Sequence, residues 1–287
     1  MSSVVCLTLA LSLGYAKPDL LIEAADLAKA DSLKAYRILD ARDKKKYDAR
    51  HVPGSIWVDH ESWSKTFGKT QDPNVWAPMI GGLGIDANTK VVVLDDALAK
   101  DAARIWWILR YWGVKDARIL NGGWTAWKSG DHPVSTEIPN IETRTFRPMA
   151  AGSRLAAKEN VLGIVNDKKG IQILDARSEK EHCGDEKLKN QRGGAIPGAM
   201  QLEWSDALDK STQKFKSTRE LSQILKEAGV DLSKPIVTHC QSGGRAAVMA
   251  FTLELMGAEN VANYYRGWSE WGNDENAPIE RPTPKKK

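Results

Sequence analysis

The chain repeats itself once at the scale of a domain, and this duplication constrains its fold more than any other feature. Three blocks recur in the same order: ILDAR at Ile38–Arg42 and Ile173–Arg177, V/IPGS/A at Val52–Ser55 and Ile196–Ala199, and GWxxW at Gly123–Trp127 and Gly267–Trp271. The copies lie about 135 to 145 residues apart, which is the size of a domain rather than of a solenoid repeat. A chain of 287 residues can hold two such domains, each with its own core.

Each copy alternates short apolar runs with helical patterns. The apolar runs lie at 36–39, 91–94, 171–174 and 236–238, and the helical patterns at 102–112 and 245–256 are each followed by a glycine, Gly113 or Gly257. Strands that alternate with helices predict a parallel sheet covered by helices on both faces. We therefore predict an α/β fold of two tandem domains, with the working crevice at the carboxyl ends of the strands.

The domain boundaries are predicted from composition. Residues 135–157 are polar, include Pro139 and Pro148 and show no sustained period, as expected of an exposed linker. We predict a first domain at 17–134 and a second domain at 158–287.

Residues 1–16 form a candidate signal peptide. An apolar stretch at Val4–Leu13 precedes small residues at Gly14 and Ala16, which would occupy the −3 and −1 positions of a cleavage site, although the usual positive start is missing. About ten apolar residues are too few to span a bilayer, so no membrane association is expected. We expect export to the periplasm, with a cytoplasmic location as the alternative.

Charge and cysteine content exclude several classes of function. The net charge of +4 is small for this length and the basic residues are scattered, so no nucleic-acid partner is expected. The three cysteines, Cys6, Cys183 and Cys240, form neither a disulfide framework nor a metal-ligand spacing.

Cys240 is the strongest candidate for a reactive residue, because a strand-like run leads into it and a helical pattern follows. The residues after it are Gln241, Ser242, Gly243, Gly244 and Arg245. Adjacent glycines let successive N–H groups converge into an anion-binding nest. Such a nest at a helix N-terminus stabilises the thiolate, which is the reactive form of cysteine. The Gly-Gly-Arg context therefore favours a nucleophile over a buried structural cysteine.

The first copy lacks this thiol. Alignment of the copies places Asp96 opposite Cys240 and Asp95 opposite His239, and the loop at Asp96–Lys100 contains no glycine. We therefore predict that this loop forms no nest, and that the first domain supports the second, which catalyses.

From about Asp19 to Pro282 the chain resembles the tandem rhodanese-type sulfurtransferases, which act on thiosulfate or 3-mercaptopyruvate. The resemblance rests on the Asp-Ala-Arg and Pro-Gly blocks of both halves, the Gly-Trp blocks near the domain ends and the acid that replaces the first-domain thiol. It implies that Cys240 takes a sulfane sulfur from a small donor as a persulfide, cradled by the N–H groups of 241–245. An acceptor such as cyanide or a thiol, including a protein thiol, then removes the sulfur, and no cofactor is needed.

An anionic donor requires cations, and the resemblance implies that arginines near the second Pro-Gly turn face the catalytic loop. Arg192 is the better candidate for a donor contact, whereas Arg177 either contacts the donor or pairs with Asp175 as scaffold. Asp175 is either an orienter of the loop or a plain strand-end cap. Arg245 is either a donor clamp or a brace for the loop.

The donor itself is less constrained. Glu181 stands where some relatives carry a second arginine, which weakens the mercaptopyruvate pattern and makes thiosulfate the favoured donor, with 3-mercaptopyruvate as the alternative. The Ser242 hydroxyl either contacts the sulfur or stabilises the turn. His182 and His239 are expected to be structural, and Cys183 could resolve the persulfide only if its sulfur lay near Cys240.

Two other functions stay open. His239-Cys240 followed by Arg245 resembles the signature of cysteine phosphatases and arsenate reductases, but the four residues between Cys and Arg are one fewer than in those enzymes. The tighter ring favours one added sulfur atom over a phosphate. The other alternative is a non-catalytic carrier that accepts persulfide sulfur from a partner enzyme.

Overall fold

The computed structural model describes residues 14–167 and 170–284 and contains two parallel sheets. The strands are β1 Leu21–Ile22, β2 Arg37–Asp40, β3 Ile56–Trp57, β4 Val91–Leu94, β5 Ala117–Leu120, β6 Gln172–Asp175, β7 Met200–Gln201, β8 Ile236–His239 and β9 Val261–Tyr264. The first sheet has the order β1-β5-β4-β2-β3 and the second the order β7-β6-β8-β9. Every pairing of these strands is parallel, which confirms the predicted α/β fold of two tandem domains.

Helices connect the strands and cover both sheets. They are α1 Ala24–Leu27, α2 Ala30–Ala35, α3 Lys44–Ala49, α4 His60–Lys69, α5 Pro73–Gly81, α6 Lys100–Tyr111, α7 Gly123–Ser129, α8 Lys158–Asp167, α9 Glu179–Cys183, α10 Thr218–Glu227, α11 Gly244–Leu255 and α12 Gly267–Trp271, with 3₁₀ turns at Pro18–Leu20, Gly152–Arg154 and Trp204–Ala207. The four residues of β4 and the four of β8 are all buried, as expected of strands covered on both faces.

The duplication is visible in the strand pairing. Strand β2 pairs with β4 as β6 pairs with β8, and the aspartates that end β2 and β6, Asp40 and Asp175, face Leu94 and His239. Strand β1 is present in the first sheet, and in the second a single parallel bridge between Leu155 and Asn263 takes its place.

The start of the described chain packs on the second domain. Residues 1–13 of the candidate signal peptide lie outside the described residues. The Tyr15 hydroxyl donates to the carbonyl of Lys216 at 2.9 Å, and the N–H of Lys17 donates to the carbonyl of Leu255 at 3.1 Å. None of the helices found in 14–167 and 170–284 has the length and apolar character needed to cross a membrane.

The segment predicted as a linker is bonded to the first domain over much of its length. Ser135 forms an antiparallel bridge with His51, the N–H of Arg144 donates to the carbonyl of Gly81 at 2.9 Å, and that of Met149 donates to the carbonyl of Trp112 at 3.0 Å. The two domains are thus joined by a chain that lies along one of them.

The two domains share a hydrophobic core across the helices α6 and α11. Nearly every residue of both helices is buried, as in helices that are packed on all sides. Trp106 of α6 meets Phe251 of α11 edge to face, with ring centroids 4.9 Å apart. Tyr265, which follows β9, stacks on Trp107 at 5.6 Å and contacts Phe67 at 4.8 Å. The aromatic residues therefore serve the core and the domain interface.

Candidate active site

Cys240 lies at the carboxyl end of β8, where the chain turns into α11. Its residue is 1% exposed, and α11 begins four residues later, at Gly244. Gly243 adopts the left-handed conformation with φ +83°, and a Cβ there would lie 2.5 Å from the ring of Tyr265. The sequence of this turn is therefore dictated by backbone conformation and by the close approach of the neighbouring ring.

The carbonyl groups of the loop are held from outside. The carbonyls of Cys240 and Gln241 accept N–H bonds from Trp268 and Ser269, and the carbonyls of Ser242 and Gly243 accept bonds from side chains. None of the backbone N–H groups of 241–245 donates to an acceptor in the part of the chain that the structure describes. These donors belong to the turn and to the first residues of a helix, where N–H groups lack intrahelical partners. Unpaired donors beside Cys240 are what the predicted cradle for an anion requires.

The side chain of Gln241 fixes the rim of this loop. It exchanges two hydrogen bonds with Asn190, with donor-to-acceptor distances of 2.9 and 3.0 Å. Asn273 also donates to the Asn190 side-chain oxygen at 3.1 Å. Gln241 therefore positions the loop through its amide as well as contributing an N–H group to the cradle.

The structure of the equivalent loop in the first domain shows which of its residues corresponds to Cys240. The N–H of Trp124 donates to the carbonyl of Asp95 as the N–H of Trp268 donates to that of Cys240, so Asp95 is the residue opposite Cys240. Placing Asp96 opposite Cys240, and Asp95 opposite His239, was wrong by one residue. The reason is an extra residue between strand and helix in the first loop, since α6 begins five residues after Asp95.

The first loop also forms a nest, contrary to the prediction. The Asp95 carboxylate accepts N–H bonds from Ala97, Ala99, Asp101 and Ala102 at 2.8 to 3.2 Å. Leu98 and Ala99 adopt positive φ without being glycines. The N–H bonds lower the pKa of Asp95, but burial has the larger effect and raises this pKa to about 6. The same turn thus gathers N–H groups in both domains: around a carboxylate of its own in the first, and beside the cysteine side chain in the second.

A buried ionic cluster lies at the carboxyl end of β6, beside the catalytic strand. Asp175 accepts two bonds from Nε and Nη2 of Arg177, at 2.9 and 2.6 Å, and contacts Nδ1 of His182 at 2.9 Å. Burial opposes ionisation, but His239, Arg177 and His182 together hold the pKa of Asp175 well below its usual range. Burial lowers the pKa of His239 to about 4, so His239 is neutral at pH 7 and is no proton donor for Cys240.

Arg177 and Arg192 make the contacts of structural residues. Arg177 is 1% exposed, its Nη2 also donates to the carbonyl of Gly194 at 2.8 Å, and its guanidinium lies 4.3 Å from the ring centre of Trp268. Arg192 donates to backbone carbonyls, among them that of Ala277 at 2.9 Å. These bonds favour scaffold roles for both arginines over the expected donor contact.

Arg245 is held by a carboxylate. Its Nη1 and Nη2 donate to the two oxygens of Glu181 at 2.6 and 2.9 Å, in the bidentate geometry that suits a guanidinium. Burial lowers the pKa of Arg245, but Glu181 and Cys240 outweigh it and raise the pKa above its usual value. This geometry favours the brace for the loop over the donor clamp.

A family model for the rhodanese-like domain matches the chain twice, at residues 23–130 and 159–274. The chain belongs to the rhodanese family. The first match contains every strand of the first sheet except β1, and the second match contains the whole second sheet with Cys240 and its loop.

Known relatives of this rhodanese span nearly its whole length. It is 32% identical over 272 residues to a thiosulfate sulfurtransferase from Azotobacter vinelandii, a match that covers 93% of this chain and 98% of that one. It is 30% identical over 285 residues to the sulfur carrier protein TtuD from Thermus thermophilus, with 94% and 99% covered. Among solved structures, the 3-mercaptopyruvate sulfotransferase SseA from Escherichia coli superposes with a TM-score of 0.77 at 26% identity, with 87% of this chain and 98% of that chain covered.

The first domain of this rhodanese reaches the catalytic loop through Arg104, which the sequence analysis missed. Nη1 of Arg104 lies 2.8 Å from the carbonyl oxygen of Ser242, 3.0 Å from the Tyr265 hydroxyl and 2.6 Å from Oγ of Ser64. The available signal was a lone basic residue within the apolar helix at 102–109. Asn190 gave no such signal, because only the fold brings it to Gln241.

Cys183 ends α9 and is buried, and so is His182 beside it. Burial raises the pKa of the Cys183 thiol, which therefore favours the unreactive protonated form. This environment resembles that of a structural cysteine and offers no support for a resolving role.

Proposed function

We propose that this rhodanese is a thiosulfate sulfurtransferase that carries the sulfane sulfur as a persulfide on Cys240. The observation that carries the proposal is a thiol at the centre of a turn whose carbonyls are all bonded elsewhere and whose N–H groups are left for an anion. Its relatives named thiosulfate sulfurtransferase, which match across most of both chains, support the same donor.

The reaction consists of two displacements at sulfur. In the first, the Cys240 thiolate attacks the outer sulfur of thiosulfate, a new S–S bond forms, and the S–S bond of thiosulfate breaks with its electron pair leaving on sulfite. In the second, cyanide or a thiolate attacks the outer sulfur of the persulfide, and the electron pair of that S–S bond returns to Cys240. Both steps follow the chemistry of thiol–disulfide exchange and need no external oxidant.

A cleft between the domains provides a route for the donor. It has a volume of about 580 Å³ and is lined by α4 of the first domain and by residues of the second that include Ser242 and Tyr265. Two cations, Lys65 and Arg266, lie on its wall, but each is paired with a carboxylate, Glu61 and Glu270 respectively, which reduces their attraction for a dianion.

The two arginines of the second domain that are paired with carboxylates, Arg177 and Arg245, favour thiosulfate over 3-mercaptopyruvate. A planar carboxylate such as that of mercaptopyruvate is best recognised by a free guanidinium fork. The forks of Arg177 and Arg245 are already taken by Asp175 and Glu181. A sulfonate group, which is not planar, depends less on such a fork.

The test is the formation of thiocyanate from thiosulfate and cyanide by the purified full chain, beside the formation of pyruvate from 3-mercaptopyruvate. We expect faster turnover with thiosulfate, no turnover in Cys240→Ser, and ordinary turnover in the matched variant Cys183→Ser. After thiosulfate alone, mass spectrometry should find Cys240 one sulfur atom heavier. An unmodified Cys240 in folded, reduced protein would overturn the proposal, and hydrolysis of an aryl phosphate that depends on Cys240 would replace it with phosphatase chemistry.

A second candidate function is sulfur delivery to a protein thiol. The relative from Thermus thermophilus named as a sulfur carrier protein supports it. The measurement is transfer of labelled sulfur from persulfidated protein to an acceptor protein thiol in competition with cyanide. Labelled sulfur that leaves only to cyanide would contradict delivery while leaving the sulfurtransferase chemistry intact.

We also propose that the protein is exported, on the strength of the apolar stretch and the small residues at Gly14 and Ala16. Cleavage after Ala16 would remove Tyr15, and with it the bond to the carbonyl of Lys216. N-terminal sequencing of protein from its own cells tests this. A chain that starts at Lys17 is expected, and retention of Met1 would favour the cytoplasmic alternative.

A further inference from the structure

Arg104 is a buried cation whose charge no carboxylate neutralises within ion-pair distance among residues 14–167 and 170–284. It is 8% exposed and its Nη1 is surrounded by neutral oxygens, those of Ser64, Ser242 and Tyr265. Its Nε is buried, and no described residue accepts a hydrogen bond from it. A buried charge is costly unless an opposite charge compensates it. The position of Arg104 therefore calls for an anion nearby.

The guanidinium of Arg104 lies against the first residue of α11. A Cβ on Gly244 would collide with Nη2 of Arg104, so the two groups are in contact. The N-terminus of a helix carries a partial positive charge. Two positive features thus meet at the turn that contains Cys240, an arrangement that an anion at this turn would stabilise.

The charge of Arg104 is stabilised by its surroundings. Burial lowers the pKa of Arg104, but Tyr265, Cys240 and Asp101 outweigh it, and the pKa is raised overall. Cys240 acts on Arg104 and on Arg245 alike. Arg245, however, already has a carboxylate partner in Glu181, which cancels most of its field.

The other charged groups around the two residues make no ion pair with Arg104. Asp101, also on α6, acts on Arg104 only at longer range, and its close contacts are with Nδ1 of His60 at 3.4 Å and Nζ of Lys100 at 3.6 Å. His239, on the strand before Cys240, is neutral at pH 7 because burial lowers its pKa to about 4.

We propose that Arg104, contributed by the first domain, is the counter-ion that keeps the Cys240 sulfur anionic, and that this is the part the first domain plays in catalysis. The inference rests on the proposed function for its biological meaning. Thiolate and persulfide each carry one negative charge, and each displacement returns one negative charge to Cys240. A permanently charged guanidinium matches an anion that persists through the whole cycle.

The test is a pH titration of the thiolate by its ultraviolet absorbance in reduced, sulfur-free full chain, with Cys240→Ser as the blank. Arg104→Lys keeps the charge, Arg104→Gln keeps a hydrogen-bond donor without charge, and Arg110→Gln removes a cation from the far end of the same helix. We expect Arg104→Gln to move the midpoint up by about one pH unit, a roughly tenfold loss of thiolate below the midpoint. Arg104→Lys and Arg110→Gln should titrate like the wild type.

The proposal is overturned if Arg104→Gln titrates like the wild type, or if Arg104→Lys shifts as far as Arg104→Gln, since the second outcome indicates a purely structural role. Circular dichroism establishes that each variant is folded, and Arg104→Met takes the place of a glutamine variant that does not fold. The titration uses no sulfur donor. Failure to turn over thiosulfate therefore refutes the proposed function alone, whereas an unmoved midpoint in an active enzyme refutes the role of Arg104 alone.

Discussion

At the scale of single residues, the catalytic turn requires glycine at two adjacent positions for two different reasons. Gly243 has a positive φ and faces the ring of Tyr265, so both its conformation and the space around it exclude a side chain. Gly244 has no such φ, and what excludes a side chain there is the guanidinium of Arg104.

Gly244→Ala should therefore impair activity. The added methyl group must displace the buried guanidinium of Arg104, which weakens its bonds to Ser64, Ser242 and Tyr265 and moves a charge away from the sulfur. We expect kcat/KM with thiosulfate to fall on the order of 10²-fold, as small misplacements at reacting groups can cause. The matched control is Gly163→Ala in α8, where a Cβ meets nothing within 4 Å and helix propensity favours alanine. Equal activities of the two variants would contradict the argument.

Glu181→Gln should destabilise the protein in a pH-dependent way. Burial raises the pKa of Glu181, but its ion pair with Arg245 outweighs that and leaves the pKa below 4.5. The Glu181 carboxylate therefore binds a proton less readily in the folded state than in the unfolded state. Its contribution to the free energy of unfolding is complete above pH 4.5, and it is lost as the pH falls through the lower pKa that Glu181 has in the folded state. Removing one partner of a buried pair costs about 3 kcal/mol.

Denaturant unfolding of Glu181→Gln and wild type across pH 3 to 8 measures this difference, which should be constant near neutrality and shrink in acid. The control is Asp48→Asn, which breaks an exposed pair with Lys44 and should cost under about 1 kcal/mol at any pH. A difference that grows in acid would show that the sign is wrong.

At the scale of elements, the strand-to-helix turn leaves N–H groups for an acceptor in both domains. In the first domain the acceptor is the Asp95 carboxylate, which fills the nest and caps N–H groups in the first turn of α6. Because α6 carries Arg104, the first nest positions the residue that reaches the second. The loop of the first domain has no thiol, but it still stabilises the N-terminus of α6.

Asp95→Ala should destabilise the protein much more than Asp96→Ala. The first variant leaves three buried N–H groups and one partly buried N–H group without an acceptor, at a cost on the order of 3 kcal/mol. Asp96 makes an exposed pair with Lys46, which is worth under about 1 kcal/mol. Thermal unfolding of both variants distinguishes them. Equal losses would restore the alignment of Asp96, rather than Asp95, with Cys240.

Much of the fold and part of the site could be predicted from sequence, because the signals were local. The buried strands, and the contiguous run from Cys240 to Arg245, are legible in short windows. The one-residue difference between the two strand-to-helix loops could not be predicted in this way. The extra residue of the first loop lies in the turn, and the strand before it and the helix after it each align between the copies without it. The partners of the loop, Arg104 and Asn190, come from elements distant in the chain, and only packing brings them there.

At the scale of the whole molecule, the domains are coupled by a buried interface rather than tethered by a linker. Helices α6 and α11 are buried along their length, and Trp106 and Phe251 meet between them. Domains with a large apolar interface are expected to unfold together, unlike tethered domains, which often unfold in separate steps.

A single unfolding transition is therefore expected by probes in either domain. Eight of the eleven tryptophans lie in the first half of the chain, so tryptophan fluorescence mainly follows the first domain, whereas the accessibility of the Cys240 thiol follows the second. The two signals should change at the same denaturant concentration. Phe251→Ala, at a cost of about 3 to 5 kcal/mol, should lower both midpoints together. Exposure of the Cys240 thiol at a lower concentration than the fluorescence change would mean that the second domain opens alone, and that the interface of α6 and α11 does not make the two domains unfold as one unit.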